Sequence, residues 1–394
     1  IAIALSVGFQ SDFFEIAKQI DIYPTLFKEL NIYYVDEINP AELTKQAINN
    51  TLENLDPYTQ YYDEQGVEDA RITSSGEYGG IGALTRFKDN KLTIREILKD
   101  SPAEKAAIKS GDQIVKINDI AVSDFDEMGA SALLNGLPGS KVILEILRQD
   151  KTLTIEVIRN KIDINPVPYF TMLDDQVGYI SFTTFNDKAA TEVKQAYDEL
   201  KAEGMEKLII DVRSNGGGLL NEAVRIVNYF IPKDNIVVTT KGKKEKWSDT
   251  YTTRTNPIDL EMPLAILIDD RSASASEILA GALQDYDRAI VVGQRSFGKG
   301  LVQRYRELSY GTQMKVTISK YYTPSGRCIQ ELDYTNRDEE GNVPKFSDYG
   351  RKEYTTQNGR IVYGGGGILP DIAIDKTTTT ETTKVLLESD GLFN

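Results

Sequence analysis

The sequence predicts a mixed α/β, multidomain protein, and three observations carry that prediction. At 394 residues the chain is long enough for two or three domains, each with a sizeable core. Residues 11–70 are patterned for helices, whereas residues 74–159 are patterned for short alternating strands separated by glycine turns. From Ile162 onward, apolar strand runs and helical stretches alternate, as in layered α/β folds.

The chain opens on Ile1-Ala2-Ile3-Ala4-Leu5-Ser6-Val7-Gly8-Phe9 without a starting methionine. This run reads either as the end of a signal peptide or membrane anchor or as a short buried strand. Phe13, Phe14, Ile16 and Ala17 then begin an amphipathic helix pattern, which Leu26, Phe27 and Leu30 continue after Pro24. Asn39-Pro40 starts a second helix, carried by Leu43, Ala47, Ile48 and Leu52 and stopped near Asp56-Pro57.

The next unit opens with the glycine-rich loop Gly76-Glu77-Tyr78-Gly79-Gly80-Ile81-Gly82-Ala83. A strand Leu84-Thr85-Arg86-Phe87, a turn at Asp89-Asn90 and a strand Leu92-Thr93-Ile94 follow. Ser101-Pro102-Ala103-Glu104 reads as a capped short helix, and Gly111-Asp112 turns into the strand Gln113–Ile117. Two further strands alternate as half-buried strands do, one with Val142, Leu144 and Ile146, the other with Leu153, Ile155 and Val157. A helix is expected between Asp126 and Leu134.

In the last unit, Val177–Ile180 reads as a strand and Ala189–Ala202 as a helix with Val193, Ala196 and Leu200 inward. The buried strand Leu208–Arg213 runs into Ser214-Asn215-Gly216-Gly217-Gly218, and a helix is expected from Leu219 to Phe230. Three glycines at a strand-to-helix turn suit a phosphate cradle, but the lysine and hydroxyl of a P-loop are missing here. Lys241–Thr255 is polar and reads as a surface excursion carrying the only tryptophan, Trp247. A strand is expected over Met314–Ile318, a loop-rich stretch over residues 331–366, and the start of a further helix at Val385–Leu387.

The stretch around which this unit is organised lies between those elements. Pro263–Ile268 is a continuous apolar run that reads as a buried strand, and Ile278, Leu279, Ala282 and Leu283 follow at helical spacing. The run Ser272-Ala273-Ser274-Ala275-Ser276 therefore sits at a strand-to-helix turn, where a hydroxyl meets the positive end of a helix. Such serines most often only cap the helix. Composition sharpens the choice, because the chain has no histidine, so a serine nucleophile here needs another base. Lysine is the recognised substitute, and Lys299 stands between two glycines behind the expected strand Ala289–Gly293. It has to be neutral to accept a proton, which burial without a counter-charge achieves.

A formal charge of −15, from 45 basic and 60 acidic residues, argues against nucleic acid and anionic membrane as partners. The single cysteine, Cys328, excludes an internal disulfide, and with no histidine a typical zinc site is not expected. No run is long enough to span a bilayer.

Ser272–Ile278, Ala280–Asp285 and Phe297-Gly298-Lys299-Gly300-Leu301-Val302-Gln303 resemble the carboxyl-terminal processing peptidases, or tail-specific proteases. Asp211-x-Arg213-x-Asn215-x-Gly217-Gly218, Leu55–Tyr61, Tyr321–Arg327 and Gly367–Asp371 resemble the same family, so the likeness covers most of residues 40–375. The resemblance implies Ser274 as nucleophile, Lys299 as general base and Gln303 as the residue orienting the lysine. It also implies an oxyanion hole from the backbone near Gly217 and at Ala275, and it matches Asp285 to a recurrent acidic position, read as structural support. The unit of short strands resembles a PDZ domain, with Gly80-Ile81-Gly82-Ala83 as the loop whose N–H groups hold a terminal carboxylate. The helix over Asp126–Leu134 would then be the other wall of the peptide groove.

The expected organisation is thus an N-terminal helical region over 1–73, a PDZ domain over 74–160 and a crotonase-like (ClpP/crotonase-type) peptidase core over 161–394. The implied activity is serine endopeptidase action, without a cofactor or metal, on proteins whose free C-terminus the PDZ domain captures. The family likeness further implies a periplasmic setting, anchoring to the inner membrane ahead of residue 1, and dimerisation through the N-terminal helices. A PDZ scaffold that binds tails without cutting them, and acyl-CoA chemistry on the crotonase-like layout, are the competing functions.

Overall fold

The computed structural model describes residues 2–75, 77–88, 91–124, 130, 133–149, 151–346, 350–376, 380, 382 and 383. The turn Asp89-Asn90, most of the expected helix from Asp126 to Leu134 and the expected helix start at Val385–Leu387 lie outside those residues. The architecture is mixed α/β and multidomain.

A six-stranded sheet organises the largest core, in the order Tyr169–Met172, Val177–Ser181, Lys207–Asp211, Leu264–Ile268, Ile290–Gly293 and Ile372–Ala373. The first pair is antiparallel and all later pairs are parallel. Parallel strands covered on both faces need apolar residues throughout, and Ile210, Ile266, Ile268 and Val291 are all buried. Helices Ala189–Ala202, Leu220–Phe230 and Ala275–Asp285 pack against it. Every residue from Ala275 to Asp285 is buried, which explains why the helix is mostly apolar or small and why its polar side chains Glu277, Gln284 and Asp285 are all hydrogen-bonded or ion-paired. At Gly281 an added Cβ would lie 2.8 Å from Ile368 Cδ1.

Three neighbouring parallel strands, ending at Asp211, Ile268 and Gly293, send their following loops out of the same edge of the sheet. Loops at the carboxyl ends of such strands are where α/β folds gather their functional groups. Here they are tied together: Ser272 Oγ donates to Val212 O at 2.7 Å, Ser276 Oγ to Asn215 O at 2.8 Å, and Phe297 N to Ser272 O at 3.0 Å.

A second sheet, five-stranded, meets the serine turn at this edge, where Tyr321 Oη donates to Ser274 O. Its long strand Gln313–Tyr322 pairs with Leu301–Glu307 on one side, and with Gln60–Tyr62 and Ile236–Gly242 on the other. Two expectations are corrected here. The stretch 1–73 is not wholly helical, because Gln60–Tyr62 leaves it to join the core sheet. Pro57 ends the helical pattern and the tyrosines favour an extended chain, but three residues are too few to display an alternation. The segment Lys241–Thr255 is no free excursion either: Asp249–Thr252 returns to pair with Ile236–Gly242 as a hairpin. Its outward face is polar, which hides a strand from a hydrophobicity reading.

The opening residues belong to a helix, Ala2–Tyr33, and not to a strand. The strand Met314–Ile318 is longer than expected, running from Gln313 to Tyr322. Among the described residues no helix is long and apolar enough to cross a membrane.

The middle unit has its own core of Ile81, Leu92, Ile94, Ile114, Ile117, Val142, Leu144 and Ile146. Its sheet runs Ala83–Lys88, Lys91–Ile97, Gln113–Ile117, Lys141–Arg148, Lys151–Ile158, so Ala83–Lys88 is an edge strand. Ser101 caps the short helix Pro102–Lys105 by accepting from Glu104 N at 3.2 Å. Gly82 (φ +73°) lies so close to that cap that a Cβ would stand 2.4 Å from Ser101 Cβ.

Candidate active site

The strand Leu264–Ile268 delivers the chain to Ser274, the residue just before the buried helix Ala275–Asp285. Ser274 has φ 57° and ψ −112°, a conformation that costs a non-glycine residue about 1–3 kcal/mol and persists only where neighbours impose it. The neighbours are explicit. Ser274 N donates to Glu277 Oε2 at 2.8 Å, and Ser274 O accepts from Tyr321 Oη at 3.1 Å. The glycine loop presses from the other side: a Cβ on Gly217 (φ +96°) would lie 2.6 Å from Ala273 O and 2.9 Å from Ser274 Cβ. Only glycine allows this approach.

The N–H groups of that loop are not all available. Gly217 N donates to Asn215 Oδ1 at 2.9 Å, so the donor expected there for an oxyanion is already engaged. An asparagine side chain readily closes such a local turn onto the backbone two residues on. Ala275, as the first helical residue, has no acceptor within the helix for its N–H.

Glu277 links the serine turn to the lysine turn. Its carboxylate is fully buried; Oε1 accepts from Ser296 Oγ at 2.5 Å and Gly298 N at 2.7 Å. Oε2 accepts from Ser274 N and also from Lys299 N at 2.9 Å. Burial pushes its carboxyl up to about 7, against those donated hydrogen bonds. Sequence reading passed over this residue, although Ser274-x-x-Glu277 has the spacing of a capping box and signals such a return contact.

Lys299 is half-buried, and burial followed by the like charge of Lys315 brings its amine down to about 8, while Glu277 and Asp56 oppose the shift. Its Nζ sits 4.3 Å from the ring centroid of Tyr58. Among the described residues it forms no hydrogen bond with Ser274 Oγ. Gln303 does not touch it through a hydrogen bond either: Gln303 Nε2 donates to Thr317 Oγ1 at 3.2 Å.

That contact leads to a group of N-terminal residues which sequence reading assigned to no site. Thr317 Oγ1 donates to Asp56 Oδ1 at 3.2 Å, and Thr317 N to Thr59 Oγ1 at 3.2 Å. Asp56 also accepts from Tyr58 N, Thr59 N and Thr59 Oγ1, each at 2.9 Å. One buried carboxylate thereby fixes Tyr58 over Lys299 and holds the hydroxyl that Gln303 binds. The strand Gln60–Tyr62, paired with Gln313–Lys315, anchors the whole segment.

Asp285 stands at the far end of the serine helix. It forms a fully buried ion pair with Arg327, Nη2 to Oδ1 at 2.7 Å, and accepts from Ser325 N at 2.9 Å. It clamps the helix to the segment that follows the second sheet. The residues Gly80, Ile81, Gly82 and Ala83 lie in the separate middle unit, where Ile81 is buried and Gly82 O accepts from Leu98 N at 3.0 Å.

A cleft of about 590 Å³ opens beside the Lys299 turn, lined by Tyr58, Phe297, Gly298, Glu331, Leu332 and Tyr334 among others. A strained serine at a helix start, a lysine of lowered pKa on the adjoining turn and a helix-start N–H without an intrahelical acceptor suit nucleophilic acyl transfer.

Comparison with known proteins identifies two families in the chain. Residues 176–338 match the family described as Peptidase family S41, and residues 79–158 match the PDZ domain family. A carboxy-terminal-processing protease of Bartonella bacilliformis is 33% identical over 324 residues, covering 81% of this chain and 74% of that protein. A probable CtpA-like serine protease of Staphylococcus haemolyticus is 36% identical over 308 residues, covering 77% of this chain but 61% of its relative's length. The chain thus spans about three fifths of that longer protein. Among solved structures, a photosystem II D1 C-terminal processing protease is similar over 93% of this chain and 91% of its own, with 27% identity and a TM-score of 0.48.

Proposed function

The chain belongs to peptidase family S41 and carries a PDZ domain ahead of the matched core, and from that premise we propose that it is a serine endopeptidase with Ser274 as nucleophile and Lys299 as general base. The observation that carries this assignment is the Glu277 carboxylate, which accepts from the backbone of both residues and holds the two turns in one register. Ser274 Oγ attacks the scissile carbonyl carbon while its proton passes to neutral Lys299. The lysine returns that proton to the departing amine, and a water activated in the same way releases the acyl group. Ala275 N–H, at the positive end of the serine helix, donates to the oxyanion. Gly217 contributes by lacking a side chain, since its own N–H is held by Asn215.

Before catalysis Lys299 leaves the Tyr58 ring for Ser274 Oγ, and Gln303 exchanges Thr317 Oγ1 for the lysine. Only the neutral amine is a base, so turnover should rise with pH through a value near 8 and level off above it. A kcat profile on an unstructured peptide checks this. A rate independent of pH between about 6 and 10, a span that brackets the lowered amine, would remove Lys299 from the role.

Substrate capture is assigned to the PDZ domain. Among the described residues Ala83–Lys88 pairs with one strand, Lys91–Ile97, and ends its sheet, the position to which a peptide strand adds, and Gly80-Ile81-Gly82-Ala83 leads into it. Charge-assisted bonds to a carboxylate are worth about 1.5–3 kcal/mol, so amidating a tail should weaken binding by roughly tenfold or more. Titrating Ser274→Ala protein with free and amidated tails reads this directly; equal affinities would reduce the loop to a turn. A scaffold that binds without cutting has no use for a base of lowered pKa beside a strained serine. A periplasmic setting and a homodimer complete this assignment, the latter supported by exposed apolar residues such as Ile20, Leu26 and Ile32 on the helix Ala2–Tyr33.

A further inference from the structure

A protein of net charge −15 carries one concentrated cationic surface that the proposed chemistry does not use. The hairpin joining Ile236–Gly242 to Asp249–Thr252 holds Lys241, Lys243, Lys244 and Lys246, all exposed, around Trp247. Lys241 stands directly opposite Lys320 across the antiparallel pair, an arrangement that is destabilising by itself. Among the described residues none of these five lysines forms an ion pair. The hairpin's own acids are Glu245 and Asp249, and Asp249 faces Arg304 at 3.3 Å. The ammonium groups rest instead on aromatic rings: Lys241 on Tyr322 at 4.7 Å, Lys244 and Lys246 on Trp247 at 5.5 and 5.6 Å, and Lys320 on Phe346 at 5.0 Å.

This surface lies a few backbone contacts from the Lys299 turn. Gly298 O, beside Lys299, accepts from Glu331 N at 2.9 Å, and Glu331 O accepts from Phe346 N at 2.7 Å. The Phe346 ring carries Lys320, and Lys320 faces Lys241. Short backbone steps thus lead from the catalytic turn to the first lysine, and the remaining lysines continue outward along the hairpin.

We infer that this track docks an acidic, extended segment of the substrate polypeptide and so selects substrates with carboxylates near the cleavage point. The inference rests on the peptidase assignment above and specifies its substrate. Charge complementarity selects the occupant. An anionic bilayer or a long nucleic acid would meet the negative field of the whole chain, whereas a short acidic segment senses only charges within a Debye length, about 8 Å at physiological salt. The lysines follow a strand and its turn, as a line of contacts suits an extended chain, and the rings beneath them restrain ammonium groups that would otherwise be mobile.

The test uses the full chain. Fluorescence anisotropy with Ser274→Ala protein compares a labelled eight-residue Glu peptide with its Gln counterpart, and the same protein carrying Lys241→Gln, Lys244→Gln and Lys246→Gln is measured alongside. The Glu peptide should bind preferentially, lose about tenfold in affinity in the triple variant, and lose its preference at high salt. With Ser274 restored, an unstructured reporter peptide bearing four Glu residues beside its cleaved bond should show a raised KM in the triple variant, and its Gln counterpart should not. Equal binding of Glu and Gln peptides would overturn the inference, as would tighter lysine-dependent binding of a single-stranded oligonucleotide or of phosphatidylglycerol vesicles. Lysine-dependent Glu-peptide binding without cleavage of any reporter would uphold the docking surface and sink the peptidase assignment instead.

Discussion

Lys299→Ala should leave a folded protein that cleaves an unstructured peptide about 10³-fold more slowly, or at background rate, since general-base transfer is worth 10² to 10⁴. Stability should change little, because Lys299 Nζ is half-buried and rests on Tyr58 without an ion partner among the described residues. Lys299→Arg should fail as well: guanidinium stays protonated and cannot accept the serine proton. Ser274→Ala should match these losses without adding to them in the double variant, as expected of groups that act as one unit. Steady-state kinetics with circular dichroism on each variant checks the set. Turnover close to wild type in Lys299→Ala would end the dyad assignment.

Asp285→Ala should cost about 3–5 kcal/mol of stability, the usual loss when one partner of a buried ion pair is removed. Arg327 is fully buried, so its guanidinium would be left without its counter-charge. The same change releases Ser325 N at the junction between the serine helix and the following segment. Chemical denaturation measures the loss. Replacing both residues together, Asp285→Ala with Arg327→Met, should recover part of it, because the uncompensated charge is gone. Molecules of Asp285→Ala that remain folded should keep the pH profile of the wild type. That outcome separates a clamp from a catalytic group; a shifted profile would place Asp285 in the chemistry.

The strand-to-helix turn at Ser274 was legible in the chain because its signals are local. An apolar run of strand length, small residues and a helical repeat follow one another within about twenty residues of sequence. The alternating PDZ strands and the glycine turn at Gly216-Gly217-Gly218 were legible for the same reason. What surrounds Lys299 was not. Thr317 and Asp56, which meet through a hydrogen bond, are 261 residues apart, and nothing in either neighbourhood announces the other. Gln60–Tyr62 is too short to display a strand period, and its place is decided by an edge of Gln313–Tyr322 that the sequence alone does not reveal as open.

Side-chain choices within the site were hidden at a finer level. The Gly217 N–H turns to Asn215 Oδ1, and Gln303 turns to Thr317, through contacts that depend on side-chain placement in the folded chain. Glu277 is the instructive omission. Its spacing from Ser274 was visible, yet a capping contact suggests only helix stability, and the second half of its role depends on Lys299 N arriving from the adjoining turn.

The measurement that bears most directly on the central assignment is the rate at which a fluorophosphonate acylates the protein, followed by mass spectrometry as a function of pH. The account predicts one label, on Ser274, added at a rate that climbs through a value near 8 in the wild type and is slow and independent of pH in Lys299→Ala. A label on another residue, or Ser274 labelling that is equally fast in Lys299→Ala, would contradict it.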